Sequence, residues 1–138
     1  MQPSHRWMED ADELRLEVHG PSEQAVFAQA FRALQELFGN GPATGGTGGQ
    51  PVQRRVEAEA DDHRSLLAEW LAELVFLVEK ERLVLDEVAG VRVLDGQLEA
   101  TVRGRVGDPP HRVKGVAYHD LELHRDRSGW RGCVVLDT

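Results

Sequence analysis

At 138 residues, 41% of them hydrophobic, the chain has the size of one domain and enough apolar side chains to bury a core. Twenty-four acidic against sixteen basic residues give a formal net charge of −8, which works against direct capture of a nucleic-acid backbone and favours a protein partner or a cation as ligand. A lone cysteine excludes an internal disulfide, no apolar run is long enough for a membrane span, and the start MQPSHRWMED lacks a signal peptide's apolar stretch, so a soluble, cytoplasmic protein is expected.

The first regular element follows an acidic cluster, Glu9, Asp10, Asp12 and Glu13. Leu14, Leu16 and Val18 then alternate with Arg15, Glu17 and His19, the period-two pattern of a strand with one wet face. Gly20-Pro21-Ser22 ends that strand and opens a helix with Ser22 as its cap. The helix carries Phe27, Ala30, Phe31, Leu34, Leu37 and Phe38 on its apolar face. Residues 40–50 hold five glycines but fit neither phosphate-loop pattern and read as a flexible surface loop.

Val52, Val56, Ala58 and Ala60 mark a second half-buried strand leading into the longest apolar-periodic run, Asp61 to Arg82. There Leu66, Leu67, Trp70, Leu71, Leu74, Val75 and Val78 draw a broad stripe along a helix capped by Asp61 or Asp62. Glu69 and Glu73 fall on the face away from the stripe. Leu83–Leu94 and Gln97–Val106 are strand-like and joined by Asp95-Gly96, a pair suited to the positive φ angles of a tight hairpin. After a break at Asp108-Pro109-Pro110, Val113–Leu123 and Trp130–Leu136 form a further pair. The order β-α-β-α-β-β-β-β predicts a single α+β domain, a largely antiparallel sheet with two helices packed on it.

Six scattered histidines show no zinc spacing, there is no nucleophile elbow, and Cys133 lies in an apolar stretch that suits a packed thiol. The carboxylates of residues 9 to 13, together with Asp137 beside Thr138 near the other end of the chain, would supply converging oxygens for a hard divalent cation, Ca²⁺ or Mg²⁺, if strand ends bring them together. In Val113-Lys114-Gly115-Val116-Ala117-Tyr118-His119, strand parity places Lys114, Val116 and Tyr118 on one face and Ala117, His119 and Leu121 on the other.

The acidic turn before the first strand, Ser65-Leu66-Leu67-Ala68-Glu69-Trp70-Leu71-Ala72-Glu73-Leu74-Val75-Phe76-Leu77, Val113-Lys114-Gly115-Val116-Ala117-Tyr118-His119-Asp120-Leu121 and Trp130 with the ending Val134-Val135-Leu136-Asp137-Thr138 resemble the archease family, in order and over essentially the whole chain. The resemblance implies a small protein cofactor of the RtcB-type RNA ligase. Such a cofactor promotes guanylylation and multiple turnover of an enzyme that joins RNA ends in tRNA splicing and RNA repair. It also implies a bound divalent metal, Ca²⁺ foremost, with the GTP chemistry belonging to the ligase and no catalytic residue here.

Carried over by residue, Asp137, Lys114, His119 and Glu69 match family positions. The family's His-Thr-Ala-Asp becomes Asp10-Ala11-Asp12-Glu13, so that either Asp12 or Glu13 takes the place of its aspartate. The expected metal set is thus Asp12 or Glu13 with Asp137 and Thr138, and the expected activation set Lys114, His119 and Glu69. The competing classes are a chaperone-like general binding module and a metal-dependent hydrolase, the latter lacking an evident general base.

Overall fold

The computed structural model describes residues 2–10, 12–38, 50–107 and 113–138. All of the glycine-rich stretch 40–50 except Gln50, and the break at 108–110, lie outside the described residues. The elements in chain order are β1 (Ser4–Asp10), β2 (Glu13–Gly20), α1 (Glu23–Leu37), β3 (Pro51–Glu59), α2 (His63–Glu79), β4 (Leu83–Leu94), β5 (Gln97–Val106), β6 (Gly115–Asp126) and β7 (Gly129–Asp137).

Local chemistry sets the boundaries. Ser22 caps α1, its hydroxyl accepting from the Ala25 N–H at 3.1 Å. Of the two candidate caps for α2, Asp62 is the one used, its carboxylate accepting from the Ser65 N–H at 2.8 Å. That bond holds the Asp62 carboxyl below its ordinary pKa. Asp95 and Gly96 both take positive φ, 51° and 75°, and turn β4 back on β5 as a two-residue hairpin.

The α+β class and the two packed helices are as the sequence predicts, but the strands divide between two antiparallel sheets, ordered β1-β2-β7-β6 and β3-β5-β4. Both helices touch both sheets: α1 packs on β2 and β4, α2 on β6, β3 and β4. The helices therefore form the middle of the molecule, and every residue of the expected α2 stripe is buried. Trp70 is fully enclosed and donates its indole N–H to the Phe27 carbonyl of α1 at 2.8 Å. Among the described residues no helix is long and apolar enough to cross a membrane.

The sequence reading did not anticipate β1. Its residues, Ser-His-Arg-Trp-Met-Glu-Asp, show no apolar alternation, because an edge strand with one partner needs little buried surface of its own. The acidic cluster thus belongs to a β1–β2 hairpin rather than to a leader before the first strand.

Replacing Trp70 with Phe removes the inter-helix hydrogen bond and some buried ring volume. We expect a loss of about 1–3 kcal/mol, seen as a lower denaturant midpoint with an unchanged slope.

Candidate functional site

β2 and β7 are neighbours in the four-stranded sheet, with Glu13 opposite Asp137, Leu14 opposite Leu136 and Leu16 opposite Val134. The leucines and Val134 enter the core. By alternation Glu13, Arg15 and Glu17 share the other face with Asp137, Val135 and Cys133. The two chain ends are stitched together here. The Asp12 carbonyl accepts from the Thr138 N–H at 3.0 Å and from its hydroxyl at 2.8 Å, and the Lys114 N–H donates to the Asp137 carbonyl at 2.7 Å.

β6 departs from simple strand parity. Its register against β7 shifts between Ala117 and Glu122, and Asp120 takes a φ of 56°, a left-handed conformation that aspartate tolerates. Leu121 therefore turns into the core with Leu123, instead of sharing a face with His119 as unbroken alternation required. The bulge throws His119 across to β2, where its Nε2 lies 2.7 Å from a Glu13 carboxylate oxygen and its Nδ1 3.3 Å from Asp120. Both ring nitrogens face carboxylates, so the protonated ring satisfies both. Glu13 first and Asp120 second raise the His119 pKa, and Asp120 is lowered by His119 and by Arg15, whose guanidinium donates to it at 3.2 Å. Arg15 also reaches the Cys133 sulfur at 3.4 Å; burial pushes that thiol's pKa up, as befits a packed cysteine.

Of the residues singled out from sequence, Asp12, Glu13, Asp137, Thr138, Lys114 and His119 meet at this end of the sheet. Glu69 does not. It accepts a 2.6 Å hydrogen bond from the Tyr118 hydroxyl and lines a separate acidic cleft of 540 Å³ with Glu57, Glu59, Glu73 and Glu99. Arg15, Tyr118 and Asp120 were missed. The signal for the last two was available: the apolar positions of the strand switch from even, at Val116, to odd, at Leu121 and Leu123, which an uninterrupted strand cannot accommodate.

The donor chemistry suits a hard divalent cation. Two like charges directly opposite one another on neighbouring strands are unfavourable unless something positive lies between or beside them, and the surrounding donors are all oxygen apart from His119. Among the described residues no three Asp, Glu, His or Cys side chains converge as a ready-made cage.

The profile of the archease protein family matches residues 7–138. The chain belongs to the archease family. It is 24% identical over 143 residues to the protein archease of Methanosarcina barkeri, spanning 96% of this chain and 94% of that one. The solution structure of Methanobacterium thermoautotrophicum protein 1598 superposes with a TM-score of 0.70 at 22% identity, covering 97% of this chain and 98% of that one. A Thermotoga maritima crystal structure described as an archease, possible chaperone, gives a TM-score of 0.60 at 13% identity, covering 95% and 94%. The archease fold thus has the two helices and antiparallel sheets found here.

In this archease-family chain Tyr118 is the single tyrosine, so tyrosinate absorbance reads it alone. Partial burial of the phenol and then the Glu69 carboxylate push its pKa up to about 12. The contribution to stability is complete below the ordinary value of about 10 and disappears as pH rises through about 12. Glu69→Gln should move the titration midpoint down; an unchanged midpoint would show that the carboxylate does not act on the phenol.

Proposed function

We propose that this chain is a non-catalytic protein cofactor of an RtcB-type RNA ligase. It promotes guanylylation and multiple turnover of that enzyme in tRNA splicing and RNA repair, through a divalent-cation site at Asp12, Glu13, Asp137 and Thr138. The observation that carries the reading is the opposition of Glu13 and Asp137 on adjacent strands, with Lys114 and His119 beside them, in a chain of the archease family.

The cation, Ca²⁺ or Mg²⁺, would add positive charge beside Asp137, as His119 already does beside Glu13. Glu13 and Asp137 would hold it through side-chain oxygens, while the Asp12 carbonyl, already accepting from Thr138, fixes the turn that presents them. His119 orients the Glu13 carboxylate and shares its charge. Lys114, exposed beside Asp137, offers the patch one cation for an anionic group on the partner. An activator works only by binding one state of its target better than another, and a charged patch held by strand register is preorganised for that selectivity. Glu69, tied to Tyr118, acts in this reading by holding β6 to α2.

A second reading, a chaperone-like binding module independent of the ligase, draws on the description of the Thermotoga maritima neighbour as a possible chaperone. It predicts metal-independent binding of many unfolded clients.

The deciding experiment measures GTP-dependent guanylylation and multiple-turnover ligation by the RtcB-type ligase of the same organism with a substoichiometric amount of this protein. Acceleration supports the cofactor reading, and its absence with an active ligase favours the binding module. Asp137→Ala should abolish the stimulation and the thermal stabilisation by Ca²⁺ or Mg²⁺, which for the wild type reaches about 2.7 kcal/mol at a hundred-fold excess over Kd. Full stimulation by Asp137→Ala with undiminished metal binding would sink the proposal. Lys114→Ala should weaken activation at an unchanged melting temperature, since its side chain is exposed; unfolding of that variant would point to a structural role.

A further inference from the structure

Beside the carboxylate pair, a groove of 560 Å³ opens between the second half of α2 and the start of β6. Its floor is apolar, formed by the buried Val75 and Val113 and by Val116. Phe76 stands at its side and is 50% exposed, although the rest of the α2 leucines and valines are packed away. A large aromatic ring left half in water at the wall of an apolar groove is the kind of side chain that gains most from a partner.

The charges of the groove are as distinctive as its floor. The chain has two lysines, Lys80 and Lys114, and both line this groove, in a protein whose net charge is −8. Lys80 comes from the end of α2 and Lys114 from the start of β6, so the fold, not sequence adjacency, brings them together. Against the two ammonium groups the groove sets the carboxylate of Glu79. With two ammonium groups against one side-chain carboxylate over an apolar floor, the groove suits an apolar segment that carries negative charge, the reverse of what the surrounding acidic surface attracts.

We propose that this groove docks an acidic segment of a partner protein that inserts one large apolar side chain beside Phe76 and sets its carboxylates against Lys80 and Lys114. The proposal deepens the activator reading and rests on it in one respect, that the partner carrying the segment is the ligase. Thr138 and Lys114 belong both to the groove and to the carboxylate site, so a segment seated here brings its own protein against that site.

Two measurements test it on the full chain. In the first, an acetylated, amidated tetrapeptide, Asp-Phe-Glu-Asp, is titrated while backbone amide resonances are followed. Shifts should gather at Phe76, Lys80, Lys114 and Val116, and should fade in Phe76→Ser, in Lys80→Glu and with the Asn/Gln form of the peptide. Absence of shifts at those residues, or equal binding of the uncharged peptide, would overturn the docking proposal.

In the second, the same variants are tested for binding to the RtcB-type ligase, where each should raise Kd about ten-fold, the loss expected of a central anchor. Phe76 and Lys80 are both exposed, so the variants should fold; Lys80→Glu stands in should Phe76→Ser fail. Wild-type affinity in both variants, with a ligase that the wild type stimulates, overturns the groove and leaves the activator reading intact. Peptide binding by a wild type that neither binds nor stimulates the ligase leaves the groove and overturns the activator reading.

Discussion

The pairing of β2 with β7 is the constraint on which the rest depends. Leu16, Val18, Val134 and Leu136 are fully buried on one face of these strands, against the helices. Because side chains alternate, a slip of one residue would exchange the faces, sending Glu13 and Asp137 into the core and the leucines into water. Each apolar residue held on the correct side is worth about 1.5–3 kcal/mol, far more than two exposed carboxylates can cost by mutual repulsion. The core thus fixes Glu13 opposite Asp137, and His119 lies against the Glu13 carboxylate to offset part of the charge. Gly132 adds to the constraint: a Cβ there would lie 2.9 Å from a Leu67 methyl carbon, so its absence lets α2 sit close on the sheet.

The elements that sequence alone revealed are those whose signal is local and repeated. The stripe from Leu66 to Val78, the Ser22 cap, the alternation of Leu14, Leu16 and Val18 and the Asp95-Gly96 turn each record a backbone geometry in neighbouring residues. β1 carries no such record, since Trp7 alone packs against the core and the strand's partners lie in the next strand. The division into two sheets was equally silent, because β3 finds its partner in β5, separated from it by α2 and β4, and no local pattern encodes which strands will pair.

The candidate site was legible to a different degree. Residue types and family positions indicated Asp137, Lys114 and His119, and topology brings the three near one another. The resemblance left Asp12 and Glu13 as alternatives, and the structure gives them different parts: Glu13 stands opposite Asp137 in the strand register with its carboxylate against His119, while Asp12 contributes its carbonyl to Thr138. Glu69 was grouped with the others because it matched a family position, and helix geometry then set it elsewhere, under Tyr118. A position in an alignment says nothing of which face of a helix it occupies; the 3.6-residue period does.

The bulge of β6 links the two halves of the surface. Before it, Lys114 and Val116 belong to the apolar, lysine-bearing groove; within it, Tyr118 reaches α2 and His119 reaches β2. One strand therefore borders a positive apolar groove and an acidic edge, joined through Lys114 and Thr138. For a protein that works by binding a partner, as proposed here, such a division has a physical logic. Apolar contact supplies affinity that is indifferent to the partner's chemical state, whereas carboxylates respond to the charge and metal content of whatever they face. In the proposed activator role, placing the two within reach of one partner would let apolar contact hold the complex together while the acidic edge distinguished one state of that partner from another.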